Sequence, residues 1–159
     1  MPISEEDFRS ALSRFPSGVT VVTTKDSDGR FHGITVSAFS SVSLDPPLVL
    51  ICIERSTASH EAFSESGVFA VNILSSEQSG VSERFASPHD DKFDGVDFRL
   101  GELGLPLISG CLVNLECKVR NTGDGGDHTI FIGEVEAVEI GDGDPLLYFR
   151  SDYREIGAA

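Results

Sequence analysis

Two long strand-like runs in the C-terminal third of the chain constrain the fold most strongly. Residues 111–121 and 127–140 are rich in aliphatic and β-branched side chains, and residues 122–126 between them are Thr-Gly-Asp-Gly-Gly. Glycines in so short a segment are typical of a tight turn between antiparallel strands. Long antiparallel runs of this kind favour a closed or nearly closed β-barrel over a parallel sheet.

The rest of the chain predicts a mainly β protein with short helices at its margins. A turn at residues 26–29, Asp-Ser-Asp-Gly, joins a β-branched run at 18–25 to a strand that begins at His32, so the two form a hairpin. Residues 48–53 are all apolar, which predicts a strand buried on both faces. The other predicted elements are strands at 67–74 and 146–150, helices at 60–66 and 75–86, and a loop-rich charged stretch at 88–110. About six or seven strands and two or three helices then form a single domain over residues 1–159.

The N-terminal segment predicts a capped amphipathic helix. Ser4 begins a Ser-x-x-Asp capping pattern, and Phe8, Leu12 and Phe15 recur at helical spacing before Pro16. Apolar stripes of this kind usually belong to a core, so we expect this one to cover a sheet rather than to bind a partner.

The charge balance excludes some classes of partner. The chain has 12 Lys and Arg against 26 Asp and Glu, a formal net charge of −14 at pH 7. This charge repels polyphosphates, which argues against nucleic acid as a partner. No apolar run reaches the length of a membrane span, and the acidic, amphipathic N-terminal segment does not resemble a signal peptide, so neither is predicted.

The cysteines predict the redox compartment. Cys52, Cys111 and Cys117 are odd in number and lack the Cys-x-x-Cys spacing of redox and metal sites. We expect them to be small core residues of a protein in a reducing cytoplasm.

Several common chemical motifs are missing from the sequence. There is no Gly-x-Gly-x-x-Gly, no phosphate loop ending in Gly-Lys-Ser/Thr and no Gly-x-Ser-x-Gly nucleophile elbow. The four histidines, at positions 32, 60, 89 and 128, form no metal-binding pair, so no metal site is expected. A nucleotide, if one binds, must be held in another way.

One strand is unusually rich in small and hydroxylated residues. Thr35, Ser37, Ala38 and Ser41 let a flat ring lie close to the backbone, and the alternation breaks at residues 39–41, where main-chain groups become free to bind the ring edge. This pattern fits a flavin seat. The alternative interpretation is a polar strand face that simply meets solvent.

The loop at residues 55–59 suits a phosphate. Its sequence, Arg-Ser-Thr-Ala-Ser, offers hydroxyls and a guanidinium just before a predicted helix. The alternative is that Ser59 only caps that helix.

The succession of motifs along the chain resembles the short-chain flavin reductases. The similarity rests on FPSGVTVVTT at residues 15–24, GITVSAF at 33–39, SVSLDPP at 41–47, GDH at 126–128 and FIGEV at 131–135. It extends in order over residues 8–153. The family comprises NAD(P)H:flavin oxidoreductases that serve two-component flavin-dependent monooxygenases.

The resemblance implies a fold, cofactors and partners. The fold is a split β-barrel of the FMN-binding type, normally a homodimer with flavin near the subunit interface. The chain would use NADH or NADPH to reduce FMN or FAD, and it would pass the reduced flavin to a partner monooxygenase. Hydride goes directly from nicotinamide to flavin, so the family implies no catalytic acid, and we expect main-chain N–H groups near residues 37–41 to stabilise the reduced ring.

The resemblance also assigns roles to individual residues. The isoalloxazine and ribityl groups would contact Thr35, Val36, Ser37, Ala38 and Ser41. The next strand would line the ring with Cys52, Ile53 and Glu54, and the phosphate would lie near Ser56 and Ser59. Arg84 and Phe85 would close over the flavin, and the nicotinamide would meet His128, Arg150 and Tyr153. Ala38 departs from the family's usual second serine, which removes one side-chain hydrogen bond to flavin.

Three other interpretations remain open at this stage. An FMN-dependent oxidase of the pyridoxamine-phosphate-oxidase type would hold FMN tightly and have more basic residues around the phosphate than Arg55 and Arg84. A non-enzymatic flavin-binding barrel would leave NADH untouched, and a structural barrel would bind neither. The Gly-Asp-His motif favours the reductase. Each assignment also has an ordinary structural alternative: His128 would fit a strand end, and Arg84 would fit a surface ion pair with Glu83 or Asp90. Arg150 and Tyr153 would fit a surface tail.

Overall fold

Residues 2–157 are described by a computed structural model, and over this range the chain forms three α-helices and twelve β-strands. The prediction of a single domain also covers residues 1, 158 and 159, which lie outside the described residues. The elements, in chain order, are α1 (Glu5–Leu12), β1 (Ser17–Gly18), β2 (Thr20–Lys25), β3 (Phe31–Val36), β4 (Phe39–Ser43), β5 (Leu48–Glu54), α2 (His60–Ser66), β6 (Val68–Ile73), α3 (Ser79–Ala86), β7 (Phe98–Leu100), β8 (Pro106–Ile108), β9 (Val113–Gly125), β10 (His128–Ile140), β11 (Leu147–Phe149) and β12 (Asp152–Arg154).

A seven-stranded antiparallel sheet forms the body of the protein. Its strand order is β3-β2-β6-β9-β10-β5-β4, and the predicted 111–140 hairpin, β9 and β10, lies near its middle. β3 and β4 follow each other in sequence but are the two edges of the sheet, so the sheet curls until its edges approach. It stays open, which confirms the split barrel.

We call the opening between β3 and the end of β5 the seam. The main-chain N–H of Cys52 donates to the carbonyl of Ala38 across 3.1 Å, at the point where the chain passes from β3 to β4.

The barrel interior holds the main core. Along β5, Val49, Ile51 and Ile53 are buried, whereas Leu48 and Cys52 are only half-buried. The prediction that this strand is buried on both faces is therefore wrong, because a curled sheet has one interior face. Each such buried aliphatic side chain contributes about 1.5–3 kcal/mol.

Two short helices close the barrel. α2 begins and ends where the sequence predicted and buries Phe63 against the interior core. α3 packs Phe85 over β3 but begins at Ser79, not at residue 75. Ser75 is extended because it forms a β-bridge with Pro145, and its N–H donates to the side chain of Gln78.

The N-terminal helix differs from its prediction in burial. The cap is confirmed, since Asp7 N–H donates to Ser4 Oγ across 3.0 Å. However, α1 has no buried residue among those described, and Phe15, just beyond it, is 75% exposed. The stripe does not cover the sheet, and its side chains border an open cleft.

Two hairpins of short strands lie beside the main sheet. β7 and β8 lie inside the 88–110 stretch, which was predicted as loop, whereas β11 confirms the strand predicted at 146–150 and pairs with β12 in the tail. α1 and α3, the longest described helices, have eight residues each, and none of the described helices can span a membrane.

Candidate functional site

The free edge of β3 presents unpaired main-chain groups to the seam. The turn before β3 closes with a hydrogen bond from Asp26 N–H to Arg30 C=O, which fixes the alternation of the β2–β3 ladder. Phe31, Gly33 and Thr35 therefore direct their N–H and C=O groups away from β2. These N–H and C=O groups have no strand beside them, so they are available to bind the edge of a ring or an extended chain.

A cavity of about 670 Å³ lies against this edge, and we call it the β3 cavity. β3 contributes His32 and Gly33, the loop before α2 contributes Ser59, and the segment after α3 contributes Lys92 and Phe93. The cavity brings together parts of the chain that are far apart in sequence.

Gly33 gives the cavity a flat wall. A Cβ at this position would lie 2.6 Å from Cε1 of Phe85 and 3.1 Å from Cζ of Phe93. The two rings meet edge to face with centroids 5.1 Å apart. Glycine is therefore required for these aromatic rings to pack against the strand.

Lys92 places a positive charge inside the cavity wall. Its amine donates to the carbonyl oxygens of Gly33, at 3.2 Å, and Phe85, at 2.9 Å. Partial burial lowers the pKa of the Lys92 amine by desolvation. An ammonium has three N–H donors, so one remains for a ligand.

Sequence reasoning missed Lys92 because it lies in an irregular, charged segment with no periodic signal.

Three polar side chains form a chain along one rim of the same cavity. Asp26 Oδ2 lies 2.9 Å from His32 Nε2, and His32 Nδ1 lies 3.3 Å from Ser59 Oγ. Ser59 is 8% exposed and makes no side-chain cap to α2. The bond from His32 lowers the pKa of the Asp26 carboxyl, so this carboxylate stays ionised.

A second cleft, of about 880 Å³, opens on the other side of the Cys52–Ala38 bond, and we call it the α1 cleft. Phe8 and Leu12 of α1, Tyr148 of β11, and the seam residues Ser37, Ala38 and Cys52 line it. Burial raises the pKa of the Cys52 thiol, as expected for an unreactive packing residue.

Several of the predicted ring contacts are already used by the protein itself. Thr35 Oγ1 donates to the carbonyl of Ser82 in α3 across 2.6 Å. Val36, Ile53 and Phe85 have their side chains in the cores. The main chains of Val36 and Ile53 are engaged within the sheet as well, since the carbonyl of Val36 accepts from Thr20 Oγ1 at 2.6 Å and Ile53 pairs with Thr129 of β10.

Other predicted residues lie at the surface or hold loops. Ser41, Glu54 and Ser56 are exposed. Arg84 donates to the carbonyls of Lys92, at 2.6 Å, and Asp91, at 3.1 Å, so it binds main-chain oxygens and not Glu83 or Asp90. Its guanidinium fixes the segment that carries Lys92.

His128 lies where β10 begins, directly opposite Glu54. Its Nδ1 is 2.6 Å from Asp127 Oδ1, and this contact lowers the pKa of the Asp127 carboxyl. Arg55, which the sequence offered to a phosphate, donates to Asp124 at 2.6 Å. Arg55 Nε also donates to the main-chain carbonyl of His128 at 3.3 Å, so the surroundings of His128 combine carboxylates with one guanidinium.

The two tail residues lie on the C-terminal hairpin. Tyr153 Oη is 2.7 Å from Ser82 Oγ, and Arg150 N–H donates to the carbonyl of Ser13. Within residues 2–157, neither of them nor His128 lines the β3 cavity or the α1 cleft. Tyr153 nevertheless lies close to two predicted flavin residues, because the carbonyl of Ser82 accepts from Thr35 and Tyr153 packs against the cluster that holds Phe85.

The described part of the chain contains no cluster of three or more His, Cys, Asp or Glu side chains able to hold a metal ion.

Comparisons with known proteins assign the family. The model of the flavin reductase like domain matches residues 12–157. A flavin reductase of Pseudomonas putida is 41% identical over 157 residues, which cover 98% of this chain and 92% of that protein. The reductase subunit HsaB of a flavin-dependent monooxygenase from Mycobacterium tuberculosis (strain ATCC 25618 / H37Rv) is 43% identical, covering 97% of this chain and 83% of that protein.

A solved structure agrees in fold over nearly the whole chain. The NADH:FAD oxidoreductase SgcE6 of Streptomyces globisporus, in complex with NAD and FAD fragments, superposes with a TM-score of 0.92 at 38% identity, over 99% of this chain and 97% of that one. The chain therefore belongs to the family of proteins with a flavin reductase like domain.

Proposed function

We propose that this NAD(P)H-dependent flavin reductase holds its flavin along the seam, with the phosphate end in the β3 cavity. The enzyme transfers hydride from NAD(P)H to FMN or FAD and supplies reduced flavin to a partner monooxygenase. One observation carries the proposal: the edge of β3 offers N–H and C=O groups that no neighbouring strand pairs, beside a glycine whose carbonyl binds Lys92, where a flat heteroaromatic ring needs them.

Main-chain atoms and one cation hold the ring. The ring edge binds main-chain groups of residues 35–38 and 52–54, with Ser41 at the β4 side. A reduced flavin carries negative charge on its pyrimidine side, and a fixed cation lowers the cost of forming it. Lys92 supplies this cation, in addition to the main-chain N–H groups.

The phosphate end lies near Ser56 and Ser59. Arg55 is held by Asp124, so it contributes little charge there, and Arg30 and Lys92 at the β3 cavity are the nearer cations. Arg84 and Phe85 act indirectly, since they fix the segment and the ring wall that complete the cavity.

The nicotinamide approaches from the side of His128, with Arg150 and Tyr153 assisting. Asp127 contacts the His128 ring and Glu54 lies opposite it in the sheet, and these carboxylates repel an additional phosphate, whereas Asp124 is paired with Arg55. NADH, which lacks the 2′-phosphate of NADPH, is therefore the preferred donor.

The working form is a homodimer in the cytoplasm. Large apolar side chains are exposed, with Phe15 75%, Leu44 92% and Ile140 78% exposed, and contact with a second copy accounts for such exposure. The second copy also brings its tail residues, Arg150 and Tyr153, toward the flavin of its partner. Three free cysteines support a reducing compartment.

The test is NADH consumption in air, with and without added FMN or FAD. Oxidation that requires free flavin and saturates with it supports a reductase with flavin as a substrate. A yellow protein that NADH never bleaches overturns the proposal in favour of a flavin binder or an oxidase. Light scattering tests the dimer: a mass of 17.1 kDa, that of one chain, rules it out.

A further inference from the structure

We propose that His32, held by Asp26, is a positioning residue that orients the Ser59 hydroxyl and couples the binding of a flavin phosphate to the uptake of a proton. This inference rests on the proposed function, because it takes the phosphate end of the flavin to lie in the β3 cavity. It adds two residues that neither the sequence motifs nor the family resemblance singled out.

The geometry fixes the partner of each imidazole nitrogen. His32 Nε2 faces the Asp26 carboxylate at 2.9 Å, and His32 Nδ1 faces Ser59 Oγ at 3.3 Å. All three side chains line the β3 cavity. Because a carboxylate only accepts hydrogen bonds, Nε2 carries a proton in either charge state of the ring.

With neutral His32, the Ser59 hydroxyl points the wrong way for an anion. Nδ1 is then an acceptor, so Ser59 donates its proton to the ring and turns lone pairs toward the cavity. A phosphate oxygen is also an acceptor. The two oxygens repel each other, and the phosphate gains no hydrogen bond from Ser59.

Protonation of His32 reverses this hydrogen bond. Nδ1–H now donates to Ser59 Oγ, and the hydroxyl proton turns toward the cavity, where it donates to the phosphate. The imidazolium charge also attracts the anion, while the ionised Asp26 carboxylate stabilises the imidazolium. A bound phosphate and a protonated His32 therefore favour each other.

Other charged groups around the cavity contribute to the electrostatic environment of His32. Arg30 lies on the same turn as Asp26, and Glu65 of α2 interacts electrostatically with Asp26. The segment after α3 adds His89, Asp90, Asp91 and Lys92. Of these only His89 is a second imidazole, and within residues 2–157 it makes no side-chain hydrogen bond. His89 is thus the matched control.

The test is calorimetric titration of the full chain with FAD and with riboflavin near pH 7, in PIPES and in Tris. The difference in heat between two buffers of unlike ionisation enthalpy counts the protons taken up. FAD is used because its pyrophosphate does not titrate in this range, unlike the monoester of FMN. Riboflavin has no phosphate.

We expect a fraction of one proton to be taken up per FAD and none per riboflavin. FAD affinity should fall about threefold to tenfold between about pH 6 and 8, since one linked proton changes affinity by at most tenfold per pH unit. His32→Asn, whose amide stays neutral, should abolish both effects, and His89→Asn should keep them.

If the wild-type chain takes up equal numbers of protons with FAD and with riboflavin, the inference is overturned, and no variant is needed to show it. Loss of the proton in His89→Asn but not in His32→Asn overturns it as well. Failure of both flavins to bind contradicts the proposed function together with this inference, whereas binding without proton uptake contradicts this inference alone.

Discussion

Lys92 donates a hydrogen bond to the main-chain oxygen of Gly33 across 3.2 Å, and so joins an irregular segment to the unpaired edge of β3. The same amine donates to the carbonyl oxygen of Phe85, so a cation, the aromatic wall of the cavity and open main-chain groups all lie within the reach of one side chain. This arrangement gives the cavity its shape and its charge.

Lys92→Met should raise KM for flavin about tenfold and lower kcat, because it removes a charged donor while keeping most of the side-chain volume. Lys92→Arg should recover part of the loss. Steady-state kinetics with FMN and NADH measure KM for flavin and kcat in each variant. Lys118→Met, at an exposed ion pair with Glu136 of 4.0 Å, is the control and should stay within about twofold. Unchanged kinetics in Lys92→Met would remove Lys92 from the site.

Gly33→Ala should destabilise the fold by about 1–3 kcal/mol, because the new Cβ overlaps the rings of Phe85 and Phe93. Gly80→Ala is the matched control: it lies in α3 with no atom within 4 Å of a new Cβ. We expect that change to stabilise the protein by about 0.5–1 kcal/mol. Urea unfolding of both variants measures the free energies. Equal stabilities would contradict the close approach at Gly33.

The three thiols should react with iodoacetamide at very different rates. Burial raises the pKa of Cys111 to about 11 and that of Cys117 to about 12, so few thiolates form near neutral pH. Cys117, fully buried, should react at least about a hundredfold more slowly than a free cysteine, and all rates should rise with pH.

Cys52 should react first, and saturating FMN should slow it without affecting Cys111. Peptide mass spectrometry after timed quenching follows each site. Protection of all three thiols alike would point to a general stiffening and not to flavin beside Cys52.

His128→Ala should raise KM for NADH by about tenfold and change flavin affinity by less than about twofold. The imidazole lies beside Asp127 on the acidic end of β10, away from the β3 cavity. Asp127→Asn keeps the imidazole and should have a smaller effect. Equal losses for NADH and flavin in His128→Ala would count against its assignment to the nicotinamide.

Ser151→Gly should stabilise the protein by about 0.5–1 kcal/mol. Arg150 and Ser151 have φ angles of 51° and 60°, a left-handed conformation that costs residues with a Cβ about 1–2 kcal/mol. Glycine removes this cost, although it gains freedom in the unfolded chain. Ser27→Gly, in an exposed turn without a positive φ, is the control and should be neutral or destabilising. A lower melting temperature for Ser151→Gly would be inconsistent with strain at this turn.

Local signals in the sequence predicted much of the fold. The Asp26–Gly29 turn and the glycines before His128 specify their hairpins, because turn conformation depends on neighbouring residues only. α2 and the Ser4 cap were found for the same reason. Features that depend on the curvature of the sheet were not predicted: residues 48–53 of β5 are all apolar, but only alternate residues face the barrel interior.

The candidate site was predictable to a smaller extent. The motif around Thr35 indicated the strand that borders the β3 cavity, although its threonine hydroxyl binds α3 and its edge is exposed by topology, which no local pattern encodes. Lys92 and the Asp26–His32–Ser59 chain were missed. Their contacts join segments separated by up to 59 residues, such as Lys92 and Gly33, and only the assembled structure shows them.

The passage between the two sheet edges limits how the flavin exchanges. Only Ser37 and Ala38 separate the end of β3 from the start of β4, and three Cα–Cα steps span at most about 11 Å. The two edges of the sheet are therefore held close together where β3 passes into β4, and they can separate only at a distance from this link. In the proposed site we therefore expect the flavin to exchange at the end of the seam farthest from this link, beside the loop before α2.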